Sequence, residues 1–151
     1  MTGDEDLVPP QRSAATKLIH YLVLDVVISP DLDVPVAASL RYSAAEPFVV
    51  HLDNHIELPA PVTWALSRDL LLAGLERPVG LGDLAVHPGR GRDAGSVLLA
   101  LRGEDDDALL RVPEPVLRRF LRHTECVVPV GCETEHLDLD ALVARLLSGE
   151  P

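Results

Sequence analysis

Val62-Thr-Trp-Ala-Leu-Ser-Arg-Asp-Leu-Leu-Leu-Ala-Gly74 is the stretch in which the chain changes its periodicity. Val62, Trp64 and Leu66 alternate with Thr63 and Ala65, the period-two pattern of a strand. From Ser67 the spacing turns helical. Ser67 can accept a backbone N–H as an N-cap, Asp69 lies in the first turn where the helix dipole favours an anion, and Gly74 can end the helix in a left-handed conformation. Leu66, Leu70 and Leu71 share one face, which Leu75 extends. The only tryptophan, Trp64, thus enters at a strand-to-helix corner and is expected to be the largest single piece of the core.

Upstream of this corner, Leu18 to Ile28 reads as a long strand. Leu18, Leu22, Leu24, Val26 and Ile28 fall on one face and Ile19, Tyr21, Val23 and Val27 on the other, with His20 and Asp25 as one polar exception on each. A strand apolar on both faces is covered on both sides or lies at a subunit contact. Ser29–Asp33 and Ser43–Pro47 read as turns, Val34–Tyr42 and Phe48–Leu52 as strands, and Asp53-Asn54-His55 as a hairpin tip.

Downstream, Leu75–Asp83 is expected as a loop running into Leu84–Pro88, and Gly89–Gly95 as a second, mobile loop. Ser96–Arg102 and Ala108–Val112 pair across an acidic turn. Pro115 suits the first turn of a helix that points Val116, Leu117, Phe120 and Leu121 inward and Arg118, Arg119 and Arg122 outward. Asp138 or Asp140 caps a last helix with Leu139, Leu142, Val143, Leu146 and Leu147 on one stripe, ended by Gly149. The fold class is α+β with antiparallel β-sheets, in the order strand meander, helix, strand meander, two helices. Residues 1–14 are expected as a disordered leader and residues 15–149 as a single domain.

Of the 151 residues, 47% are hydrophobic but only 3% aromatic, so the core must be built from Leu, Val and Ala. No apolar run approaches the ~18 residues of a membrane span, and direct membrane insertion is not expected. The acidic start and the two cysteines, Cys126 and Cys132, point to a cytoplasmic protein without a disulfide framework. Net charge is −11, from 24 acids against 13 bases, all of them arginine except Lys17. So acidic a chain repels nucleic acid at long range and carries no polybasic signal for lipid.

The sequence carries little catalytic or metal-binding chemistry. Gly80-Leu-Gly82 is a fragment of a dinucleotide fingerprint leading toward a strand rather than a helix, so a loop turn is the better reading. Cys126 and Cys132, with His123, Glu133 and His136, match no usual zinc spacing. The acids around Glu133 and Asp138 precede a helix, whose dipole accounts for them. Glu104–Asp107 lacks a calcium-loop pattern, and Ser67, Asp83 and His87 make a triad only on paper. Arg90 and Arg92, among glycines, are thin evidence for phosphate. No enzyme, metal or cofactor is expected.

In order along the chain, Val34-Pro-Val36, Leu40-Arg-Tyr42, Glu46-Pro-Phe-Val-Val-His51, Val62-Thr-Trp64, Arg68-Asp-Leu-Leu71, Gly74-Leu75, Pro78-Val-Gly-Leu-Gly-Asp83, Pro88, Phe120-Leu-Arg-His-Thr124, Val128-Pro-Val-Gly131, Glu133 and Leu137-Asp-Leu-Asp140 form a series. It resembles the SsgA-like proteins, the sporulation-specific cell division regulators of filamentous actinobacteria, over about residues 18–147. The chain departs from the family pattern at Glu46, His123 and Val130 and in its leader.

The resemblance implies a non-enzymatic adaptor at the sporulation septum that acts on septum-site selection, recruitment and assembly of the tubulin-like FtsZ, or cell-wall remodelling. It also implies a homotrimer and a protomer similar to the whirly fold, with FtsZ or a paralogous SsgA-like protein as partner. The candidate partner-binding residues are Arg118, Arg119 and Arg122. The rival expectation is a single-stranded nucleic-acid-binding module, suggested by fold kinship alone and opposed by the charge and the scarcity of stacking aromatics.

Overall fold

A computed structural model describes residues 17–104 and 106–137, together with Leu147. The expected leader and the capped last helix lie outside these residues, apart from Leu147. The first meander is β1 (Lys17–Ser29), β2 (Leu32–Ser43), β3 (Val49–Asn54) and β4 (Val62–Ser67), closed by α1 (Arg68–Gly74). The second is β5 (Val79–Leu81), β6 (Leu84–Pro88), β7 (Ser96–Arg102) and β8 (Asp107–Pro113), closed by α2 (Glu114–Val127). All eight strands join one antiparallel sheet in the order β4-β3-β2-β1-β8-β7-β6-β5. The α+β reading and the meander–helix repetition hold.

The seam between the meanders is narrow. β1 pairs with β2 along almost its whole length, but with β8 only at Asp25↔Arg111 and Val26↔Leu110. The sheet curls until its outer strands approach one another. Trp64 of β4 and Leu81 of β5 line one cleft of about 380 Å³. Even-numbered side chains of β1 and β2, such as Leu24, Val36, Leu40 and Tyr42, face the core, where Leu71 of α1 and Leu117, Phe120 and Leu121 of α2 close over them.

The corner at Ser67 forms as its residues dictate: the side chain accepts from the Leu70 N–H at 3.2 Å. Two expectations there are corrected. Trp64 is only partly buried, and the largest fully buried side chain is that of Arg68. Nor is Gly74 a left-handed cap, because the helix ends through Leu75 in the right-handed region. A Cβ on Gly74 would lie 2.1 Å from Val86 Cγ1, so glycine stands there to let α1 approach β6.

Arg68 is held through both terminal nitrogens, while its buried Nε has no partner among the described residues. Nη1 donates to the carbonyls of Thr124 (3.2 Å) and Val128 (2.8 Å) and to Thr124 Oγ1 (3.3 Å), while Nη2 donates to Glu133 Oε2 at 2.8 Å. Its guanidinium lies 5.2 Å from the centre of the Tyr42 ring, whose hydroxyl donates to the Pro47 carbonyl. Glu133 Oε1 in turn accepts from the Gly131 N–H at 2.9 Å. One side chain from the start of α1 thereby satisfies carbonyls at the end of α2, where a cation also suits the helix dipole. Glu133, expected merely to precede a helix, is buried as the partner of Arg68. It lies in a 3₁₀ turn over Glu133–His136.

Two loops also differ from expectation. Leu75–Asp83 contains β5, which pairs Val79↔Val86 and Leu81↔Leu84 across a turn where Gly82 has φ 63°. The Gly89–Gly95 loop is tied down, with a 3₁₀ turn at Gly91–Asp93 and Gly89 N–H donating to Ser96 O. Its Asp93 accepts from Arg111 Nε at 2.9 Å, and Arg111 also pairs with Asp25 and Asp33. Asp25, one of the two polar exceptions on β1, thus belongs to the seam.

Candidate functional site

Two surfaces stand out. The first is the outer face of the first meander, where the odd-numbered residues of β1 point away from the core. Ile19, Tyr21 and Val23 are 49%, 72% and 60% exposed in the single chain. Their cross-strand neighbours on β2 are Arg41, Ser39 and Ala37. Of the sequence reading's two alternatives for this strand, one protomer alone does not cover the second face.

A carboxylate anchors the ground beside this strip. Asp53 of β3 accepts from Ser39 Oγ (3.0 Å), Arg41 Nε (2.6 Å) and Nη2 (3.1 Å), and Thr63 Oγ1 (2.7 Å). The Arg41 hydrogen bonds, aided by the two hydroxyls, outweigh the opposing effect of burial and bring its pKa down to about 2. A carboxyl whose folded pKa is depressed stabilises the fold fully above its unfolded value near 3.8, and the contribution fades as pH falls through about 2.

The Arg41 side chain is 43% exposed, which screens the interaction, so the contribution at neutral pH is about 1–2 kcal/mol. Asp53→Asn is therefore expected to lower the urea-unfolding free energy by about that amount at pH 7. The deficit should shrink as pH is lowered from 4 to 2; a deficit independent of pH would assign it to packing.

The second surface is the outward side of α2. Leu117, Phe120, Leu121 and Thr124 are buried beneath it. The structure places the three candidate arginines differently. Arg118 folds back, its Nε donating to Glu114 and Nη1 to Glu76 Oε2 at 3.1 Å. Arg119 and Arg122 are exposed and make no ion pair among the described residues.

Beside them His123 Nδ1 lies 3.3 Å from His20 Nε2, one imidazole donating to the other, and His20 packs edge-on against Phe120. Burial, the neighbouring His123 and Arg119 all lower the His20 pKa, which keeps the ring uncharged at neutral pH. His20, the other polar exception on β1, thus faces α2. Spacing alone carries no signal for a contact between residues so far apart in sequence.

The constellations drawn for chemistry are not assembled. Ser67 Oγ serves as a helix cap, and it makes no hydrogen bond to Asp83 or His87 among the described residues. Glu133 is committed to Arg68, and His136 Nδ1 lies 3.2 Å from the Cys132 carbonyl oxygen. No group of three or more His, Cys, Asp or Glu side chains among the described residues is placed to hold a metal ion. Among those residues, no helix is long and apolar enough to cross a membrane.

The model of the family described as Streptomyces sporulation and cell division protein, SsgA, matches residues 36–133. The sporulation-specific cell division protein SsgB of Salinispora tropica is 46% identical over 126 residues, covering 82% of this chain and 88% of that protein. SsgB of Streptomyces coelicolor is 41% identical over 127 residues, covering 84% and 93%.

Two solved structures share the fold. A crystal structure of an SsgA-like sporulation-specific cell division protein from Thermobifida fusca superposes with a TM-score of 0.77 at 29% identity, covering 88% of this chain and 97% of that one. A structure of Streptomyces coelicolor SsgB, whose mutations correlate to longitudinal cell division during sporulation, superposes with a TM-score of 0.75 at 39% identity, covering 80% and 95%.

Proposed function

The chain belongs to the SsgA family of sporulation and cell division proteins, and from that premise we propose that it is a non-enzymatic adaptor working as a homotrimer at the division septum. Its role is in sporulation-specific cell division. The finer reading is that it helps select the septum site and brings FtsZ or a paralogous SsgA-like protein there, through a face that includes Arg118, Arg119 and Arg122. One observation carries the reading: the apolar strip of Ile19, Tyr21 and Val23 on a strand whose opposite face is already in the core. Exposed aromatic and aliphatic side chains packed at this density suit a subunit contact. The likeness to whole-length relatives further supports a single domain that extends past the described residues toward residue 149.

Light scattering of the purified protein is expected to give the trimer mass. Tyr21→Glu combined with Val23→Asp should yield folded monomer, because two buried charges at the contact cost far more than the association tolerates. An unchanged mass in that variant would remove the strip as the contact. In sporulating cells a fluorescent fusion should mark septa, and the monomeric variant should shift division toward longitudinal planes, to which mutations in the Streptomyces coelicolor relative correlate. Diffuse fluorescence with normal septation would overturn the adaptor reading.

A further inference from the structure

We propose that the outward side of α2 around Arg119 and Arg122 is a recognition site for a short acidic peptide segment of a partner protein. The proposal rests on the adaptor reading above and narrows its docking face. In a protein of net charge −11, the arginines Arg41, Arg68, Arg111 and Arg118 are each matched to carboxylates inside the fold. Arg77, Arg90, Arg92, Arg102, Arg119 and Arg122 are exposed and make no ion pair among the described residues, and of these Arg119 and Arg122 lie one helical turn apart on one side of α2.

Geometry adds further donors. His123, four residues after Arg119, is exposed and already touches His20, which is hydrogen-bonding and uncharged at neutral pH. Arg119, Arg122 and His123 share one side of α2 by their three- and four-residue spacing, and His20 of β1 adjoins His123. The buried Leu117, Phe120, Leu121 and Thr124 beneath hold the helix still. Guanidinium groups bind carboxylates in paired, charge-assisted hydrogen bonds, so the patch fits Asp and Glu side chains at short spacing. Glu114 is occupied by Arg118, and Glu125, one turn after Arg122, makes no ion pair with it among the described residues.

The size of the patch selects the occupant. An extended polyanion such as nucleic acid or a charged bilayer would bring the remainder of this acidic protein within its field. A short acidic segment touches the arginines alone, and at physiological salt charges more than about 8 Å away are largely screened. A peptide is therefore the favoured ligand.

The test uses the full-length protein and a fluorescein-labelled octapeptide alternating Asp and Gly, followed by anisotropy. Saturable binding is expected at low salt, weakened roughly tenfold or more by Arg119→Glu with Arg122→Glu and by raising salt to about 0.5 M. Reversal of Arg77 and Arg102, exposed arginines elsewhere, should leave binding within about twofold while melting stays unchanged in both variants. No saturable binding, binding indifferent to the Arg119 and Arg122 reversal, or tighter binding to oligo-dT or phosphatidylserine vesicles than to the peptide would overturn the proposal. The in-cell septal assay decides the adaptor reading separately, so the two can fail independently.

Discussion

Replacing Arg68 with methionine is expected to cost about 3–5 kcal/mol of folding free energy at neutral pH, the largest single-residue loss in this protein. The guanidinium is fully buried and bonds two carbonyls, a hydroxyl and the Glu133 carboxylate. Its removal leaves the Glu133 carboxylate without its cation, with the Gly131 N–H still donating to it, and leaves the last turn of α2 without its donor. Replacing both members, Arg68→Met with Glu133→Leu, should recover part of the loss, because what destabilises is the orphaned charge rather than the missing attraction.

The pH profile gives the sign. The Arg68 hydrogen bond holds the Glu133 pKa below the ordinary glutamate value. The stabilisation is complete above that ordinary value and is lost as pH falls through the depressed one. Urea midpoints of wild type and Arg68→Met should therefore converge in acid. Parallel curves down to the acid limit would show that the ion pair is not the source.

Gly74→Val is expected to be the second most damaging change, and Gly74→Ala the more diagnostic one. In an exposed helix, alanine for glycine gains about 1 kcal/mol. Here the new Cβ meets Val86 Cγ1 at 2.1 Å and Val86 Cβ at 2.5 Å, so α1 must lift off β6. We expect a net loss of about 1–3 kcal/mol for alanine and more for valine. Val86→Ala in the Gly74→Ala background relieves only the Cγ1 overlap and keeps the one with Cβ, so it should not recover the wild-type melting temperature. A stabilised Gly74→Ala protein would mean that the close approach is absent in solution.

The strands were legible wherever alternation ran for five residues or more, and so were both helix starts, because Ser67 and Pro115 act locally. β5 escaped since only three residues form it and two glycines flank Leu81, a pattern that reads as loop until β6 supplies its partner. The joining of β1 to β8 had no local signature at all. Arg68 sits among Ser67, Asp69 and Leu70 like any exposed residue of a first turn, and only Glu133, 65 positions away, explains its burial. On the candidate face, Arg118 read as an outward-pointing partner-binding residue, whereas it pairs with Glu114 four residues before it. Its second partner, Glu76, and the meeting of His20 with His123 depended on how the helices settle on the sheet.

The narrow seam has a consequence for synthesis. A ribosome releases β1 through β4 long before it has translated β8, so the half-sheet that emerges first has an open edge on the strand that will end up at the centre. In that interval Arg68 is still hydrated, with neither α2 nor Glu133 yet made. Until β8 is made, the edge of β1 that it will pair with is open to pairing with another chain.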